Sequence, residues 1–166
     1  MRRVTPLAFL LFAACSTANS QPSLPAGTKV DRLFVDKSER VLIAYAGNRE
    51  IVRYTNLRFG DAPTGHKRFE GDERTPEGTY RINGRNPASA YHLSLRISYP
   101  NAADRAFAKA RGRSPGGDIF IHGQPNASLG PPIARDWTDG CIALSNTEIK
   151  QLWDIVPDGI PITIRP

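Results

Sequence analysis

The chain is poor in cysteine: Cys15 and Cys141 are the two it has among 166 residues. The first lies in a leader-like N-terminal stretch, so no disulfide can close within the folded part. A thiol sent unpaired into an oxidising compartment is a liability unless it is buried or used. Long apolar runs are lacking as well. The run from Pro6 to Ala14, with Leu7, Ala8, Phe9, Leu10, Leu11 and Phe12, falls far short of the roughly 20 residues that span a bilayer. There is no internal repeat. The formal charge is +6, but the basic residues are scattered and no aromatic stripe runs between them, which argues against nucleic acid as a partner. A mild positive charge suits an anionic polymer, and it equally suits simple solubility.

Met1-Arg2-Arg3 followed by that short apolar run has the order of a secretion signal, a charged n-region and then an h-region. Residues 1–14 are therefore expected to be removed, which places the protein in the periplasm or cell envelope. Ser16 to Gly27 is rich in Ser, Thr, Asn, Gln, Pro and Gly, so 15–27 reads as a flexible tether and 28–166 as one domain. Leu11-Phe12-Ala13-Ala14-Cys15 resembles the lipobox of bacterial lipoproteins, although Phe12 stands where that pattern usually has an aliphatic residue. The resemblance implies an acylated Cys15 and membrane contact through that anchor alone. Cleavage a few residues later, near Ser16-Thr17-Ala18, would instead give a soluble secreted form.

Along the domain the pattern is of short strands. Val30 to Asp36, Val41 to Tyr45 and Glu50 to Thr55 are rich in β-branched and aromatic residues, with Lys37-Ser38-Glu39 and Gly47-Asn48 as turns. Tyr91, Leu93, Leu95, Ile97 and Tyr99 alternate with His92, Ser94, Arg96 and Ser98, which predicts a strand with one apolar face. Asn101 to Arg111 reads as a helix capped by Asn101, with Asp104 in its first turn and Gly112 as its stop. Asp118 to His122 is a further strand, with Phe120 and His122 on one face. Cys141-Ile142-Ala143-Leu144 leads into Ser145-Asn146-Thr147-Glu148, a capping box, and Ile149, Leu152, Trp153 and Val156 follow at helical spacing. After the Pro157-Asp158-Gly159 turn, Ile160, Ile162 and Ile164 alternate as a closing strand. The expected fold is mostly β with a few short helices.

The densest chemical signal is Trp137-Thr138-Asp139-Gly140-Cys141, preceded by His122-Gly123. A thiolate attacks far better than a thiol, and a cysteine at its ordinary pKa is mostly protonated near neutrality. A working nucleophile therefore needs an imidazole, a helix N-terminus or another cation close by. Here a histidine closes one strand and the cysteine precedes a helix start. Gly140 would let the chain turn tightly, so that the N–H groups of Gly140 and Cys141 could face a developing oxyanion. Alone, a buried cysteine beside a glycine is packing, and a strand-end histidine is a structural residue. Together, in an exported chain with one thiol in its folded part, they make Cys141 a candidate nucleophile and His122 its base.

These residues resemble the L,D-transpeptidase family, also called the YkuD domain, in which a histidine is followed after about fifteen residues by Ser or Thr, any residue, Gly and the nucleophilic Cys. The segments Gly71-Asp72-Glu73-Arg74-Thr75-Pro76-Glu77-Gly78-Thr79-Tyr80 and Tyr91-His92-Leu93-Ser94-Leu95 resemble its upstream blocks, so the likeness runs from about Val30 to Ile164. It implies a β-sandwich-like catalytic domain without metal or cofactor. The implied catalytic residues are Cys141 and His122, with Gly123 carbonyl orienting the imidazole and the Gly140 and Cys141 backbone holding the oxyanion. The reaction it implies is acyl transfer on peptidoglycan stem peptides through a thioester on Cys141. Two alternatives stand beside it: a hydrolase that trims stems or releases wall-linked lipoprotein, and a non-catalytic wall-binding lipoprotein. Many members carry Arg two residues after the cysteine, where this chain has Ala143, as in the envelope subgroup. Arg135 or Arg85 could supply a cation instead, or simply be solvated. Thr138, Asp139, Trp137, His92 and Arg135 are the candidate substrate contacts, with Ser94 beside His92. His66 and the Gly71 to Tyr80 segment read as surface and sheet-shaping.

Overall fold

The computed structural model describes residues 24–128 and 130–166. The expected signal segment, Cys15 and the tether up to residue 23 lie outside the described residues; Leu24, near the end of the expected tether, packs against the core.

The predicted meander is present as β1 (Arg32–Asp36), β2 (Val41–Ala46) and β3 (Arg49–Tyr54). Gly47 and Asn48 form the two-residue connection of β2 and β3, and the positive φ of Gly47 is what such a hairpin demands. β4 (Gly78–Asn86) follows, then β5 (Ser94–Ile97) and α1 (Ala102–Lys109). Next come β6 (Phe120–His122), β7 (Ile142–Ala143), α2 (Asn146–Ile155) and β8 (Pro161–Arg165). The eight strands form a sheet in the order β3-β2-β1-β8-β4-β5-β6-β7.

β4 joins the two halves of the sheet. Its first residues, Gly78 to Arg81, pair with β8, and Ile82 to Asn86 pair with β5, with an irregularity between Ile82 and Gly84. Leu33, Val35 and Ile164 from one half and Leu95, Ile121 and Ile142 from the other belong to a single apolar cluster, closed by Ile149 and Leu152 of α2. The sheet is therefore curled around one core. Both helices begin with complete capping boxes, Asn101 with Asp104 and Ser145 with Glu148. Each box satisfies N–H groups that a helix start otherwise leaves without partners.

Two sequence expectations need correction. The alternation from Tyr91 to Tyr99 overstates the strand, which is confined to Ser94–Ile97. His92 has φ 67°, in the left-handed region, and its N–H is taken by Asn126 Oδ1 at 2.8 Å, so the chain leaves the sheet before residue 94. Tyr91 consequently lies exposed while Ser94, assigned to the polar face, is buried. Nor does Cys141 abut a helix start. Strand β7 intervenes, and α2 begins only after its Ser145 cap.

Candidate active site

β6 and β7 run parallel, with Ile121 opposite Ile142 and His122 opposite Ala143. Continuing that register one residue back sets Cys141 beside Phe120, and side chains two apart on a strand share a face. Cys141 and His122 are thus diagonal neighbours on one face of the sheet. On the other side of β6, Ser94 pairs with His122 and extends the same face. Ser94, His122 and Cys141 line a cleft of about 450 Å³, walled by Tyr91, Trp137 and Asp139.

The imidazole is held on several sides. Its Nδ1 lies 2.7 Å from the Gly123 carbonyl oxygen, and because a carbonyl can only accept, Nδ1 carries the hydrogen. Nε2 is left as the basic nitrogen. Tyr91 packs on the ring at a centroid distance of 4.7 Å, and Trp137 approaches edge-on at 5.5 Å. His122 is 3% exposed, and this desolvation pulls its pKa below the ordinary histidine value against the opposing pull of the Gly123 carbonyl. Gly123 tolerates no side chain. A Cβ there would stand 2.5 Å from Asn146 Oδ1 and 3.1 Å from His92 Cβ.

The thiol is half-buried. Phe120 N–H donates to its sulfur at 3.4 Å, and the thiol itself donates to Asp118 O at 3.5 Å. Burial pushes the Cys141 pKa up to about 11; Asp139 and Asp118 act in the same direction, against the Phe120 N–H and Lys67. The resting site therefore holds a neutral thiol, turned to the Asp118 carbonyl, and a neutral imidazole, without the thiolate that an electropositive setting would produce.

The loop ahead of the sulfur is fastened at several points. Asp136 takes a bidentate ion pair from Arg40, with contacts of 2.8 and 2.7 Å, and accepts the Phe59 N–H at 2.9 Å. Thr138 Oγ1 donates to Cys141 O at 2.8 Å and accepts the Gly140 N–H at 3.3 Å. One of the two expected oxyanion donors is therefore already engaged, leaving the Cys141 N–H. Gly140 has φ 114°, and a Cβ there would meet Arg74 O at 2.4 Å. Thr75, which is 0% exposed, donates its hydroxyl to Gly140 O at 2.9 Å.

The sequence candidates divide accordingly. Trp137, Thr138 and Asp139 line the cleft. His92 is exposed and does not line it, its Cβ resting near Gly123 instead. Arg135 is exposed and also lies off the cleft lining. Arg85 lies off the cleft lining, held instead by Asp158 at 2.9 Å and by Trp153 O at 3.0 Å. His66, read as a surface residue, is tied by Nε2 to Asp104 at 3.1 Å and accepts Glu77 N–H on Nδ1 at 2.8 Å. Three residues escaped the sequence reading: Tyr91, hidden by its apparent membership of a strand, and Arg40 and Asp136, 96 positions apart with no local pattern to pair them. Thr75 sat in a segment that carried a family signal, but its partner could not be read from it.

The family model for the YkuD L,D-transpeptidase catalytic domain matches residues 30–164. YafK of Escherichia coli (strain K12), which bears the provisional name of an L,D-transpeptidase, is 31% identical over 98 residues, 58% of this chain and 33% of YafK. Among solved structures, the helical cell shape determining protein Pgp2 from Campylobacter jejuni is similar at a TM-score of 0.65 and 25% identity, over 89% of this chain and 52% of that one. Bd1075 of Bdellovibrio bacteriovorus matches at a TM-score of 0.57 and 28% identity, over 87% of this chain and 51% of its own. The chain thus spans about a third of YafK and about half of the other two. With the family model covering nearly all of the described residues, the chain belongs to the YkuD family of L,D-transpeptidase catalytic domains.

Proposed function

We propose that the chain is an envelope cysteine acyltransferase that acts on peptidoglycan stem peptides through a thioester on Cys141. The observation that carries the reading is the placement of Cys141 and His122 on one sheet face, both lining one cleft. His122 Nε2, left basic by the bond from Nδ1–H to Gly123 O, takes the thiol proton as the sulfur attacks a stem-peptide carbonyl. The oxyanion is held by the Cys141 N–H. When the tetrahedral intermediate collapses, D-alanine leaves as an amine that receives the proton from the imidazolium. The thioester then passes its acyl group to the next nucleophile. An amine from a second stem gives a crosslink, a lipoprotein lysine gives anchoring, and water gives hydrolysis.

The expected export signal fits an extracytoplasmic substrate, and an acylated Cys15 would hold the domain near the wall. Since Pgp2 is described as determining helical cell shape, altered shape is the expected consequence of losing this activity. The test is incubation of the purified protein with tetrapeptide muropeptides and analysis of the products by mass. Crosslinked dimers support transfer, and shortened monomers alone indicate the hydrolase. Cys141→Ala should abolish turnover with the fold intact, and His122→Ala should cost on the order of a hundred- to ten-thousand-fold. Continued turnover by the Cys141→Ala protein would sink the mechanism.

A further inference from the structure

His122 is buried although it lines an open cleft, and part of its cover is a side chain that is itself half in solvent. Tyr91 is 40% exposed, the large hydrophobic side chain left exposed among the described residues. Its ring lies on the imidazole at 4.7 Å between centroids and 33° between planes. Trp137 stands at the edge of the imidazole and meets Tyr91 at 5.7 Å, so the three rings form one aromatic group. The Tyr91 hydroxyl makes no hydrogen bond among the described residues, which leaves the ring as the part in use.

The backbone that carries Tyr91 is tied down on both sides of the ring. Tyr91 N–H donates to Ser89 Oγ at 3.0 Å, and Tyr91 O accepts the Gly123 N–H at 3.0 Å. Ser89 is buried and also accepts the hydroxyl of buried Ser94, the residue opposite His122 on β5. Asn126 closes the frame, its Nδ2 donating to Ser89 O at 2.9 Å and its Oδ1 accepting the His92 N–H at 2.8 Å. Gly123, bonded to Tyr91 through its N–H, is the same residue whose carbonyl takes the His122 Nδ1 hydrogen. Cover and base therefore hang on one frame.

The titratable groups that share the cleft with the imidazole are Cys141, Asp139 from the loop before it, Asp118 from the run into β6, and Tyr91 itself. On β5, Arg96 is paired with Asp118 at 3.6 Å. Exposed His92 rests its Cβ near Gly123, and α2 offers Gly123 the neutral Asn146 amide, while Glu148 is taken up by its capping box. Burial, and none of these charges, is what lowers the His122 pKa.

We infer that Tyr91 is a positioning residue for the proposed reaction: its ring fixes the plane of the His122 imidazole and shuts water from it, keeping the base in its neutral form. This rests on His122 serving as the base, but its first test needs no substrate. The histidine ring protons are followed by NMR through a pH series in the wild type, Tyr91→Ala and Tyr91→Phe, with His122→Gln identifying the signal. In the wild type, nuclear Overhauser contacts should join the Tyr91 and His122 rings, and the His122 midpoint should lie below the ordinary value of about 6.5. Tyr91→Ala lets water reach the ring, so the midpoint should move up toward that value, and Tyr91→Phe should stay with the wild type. A midpoint unmoved in Tyr91→Ala, as a merely structural tyrosine would leave it, overturns the inference; so does a phenylalanine variant that titrates like alanine. Missing ring contacts, or a wild-type midpoint at or above about 6.5, overturn it in the unaltered protein, whatever the variants do.

The second test is kcat/KM on a tetrapeptide muropeptide against pH. His122 must be unprotonated to accept the thiol proton, so activity falls as pH drops through its midpoint. The acid limb of Tyr91→Ala should therefore lie at higher pH than that of the wild type, with Tyr91→Phe restoring it. Coincident acid limbs would overturn the positioning role. Absence of turnover in every protein, with the NMR midpoint still displaced in Tyr91→Ala, would count against the proposed reaction and not against the cover on the ring.

Discussion

At the scale of single residues, Cys141 and His122 form no preformed ion pair. Burial with Asp139 and Asp118 raises the thiol, while burial lowers the imidazole, so both groups rest neutral at physiological pH. Alkylation of Cys141 by iodoacetamide should therefore climb steadily from pH 7 to 10, because thiolate accumulates only toward about 11. A rate plateau near neutrality would show a resting thiolate and contradict this electrostatic account. His122 also links folding to pH. Its folded pKa lies below its unfolded value, so the unfolded chain binds more protons in the window between them and stability rises with pH there. The contribution is full above about pH 6.5 and is lost as pH falls through the depressed folded pKa. Urea midpoints taken at pH 7 and pH 5 should differ more for the wild type than for His122→Gln; equal differences would remove His122 as the cause.

At the scale of elements, the site is built where a short parallel pair meets a strut from a distant loop. β6 and β7 supply the shared face, but the residue before the sulfur is positioned from the segment leading into β4, where Thr75 grips the Gly140 carbonyl. Thr75→Val keeps the shape and deletes the donor, leaving a buried carbonyl without its partner. A loss of about 1 to 3 kcal/mol is expected. In steady-state kinetics kcat should fall with KM little changed, and Thr75→Ser should restore it. An unchanged kcat in the valine variant would mean that the loop holds itself.

At the scale of the whole molecule, the strut depends on a buried polar layer that ties the meander to the β4 approach. Lys37, 4% exposed at its side chain, pairs with Glu77 at 2.7 Å and also donates to Gly65 O at 2.7 Å. Removing one partner strands the other in a low-dielectric setting, so Lys37→Met should destabilise the fold by about 3 kcal/mol. Thermal melting reads this directly, and Lys37→Met/Glu77→Leu should recover much of the loss. A single variant that melts like the wild type would show the pair to be dispensable.

Much of this was legible in order of residues, because local physics leaves local marks. The meander follows from strand-forming runs broken by turn residues, both helix starts from capping boxes, and the candidate pair His122 and Cys141 from residue type and spacing. What sequence could not decide are the contacts between segments far apart in the chain: Thr75 on Gly140, Arg40 on Asp136, Tyr91 on His122. The thiol's raised pKa belongs to the same class, since desolvation and field depend on everything that surrounds a group and not on its neighbours in the chain. Periodicity and capping are fixed by residues within a few positions of one another, whereas burial, charge environment and long-range hydrogen bonds exist only once the sheet has curled.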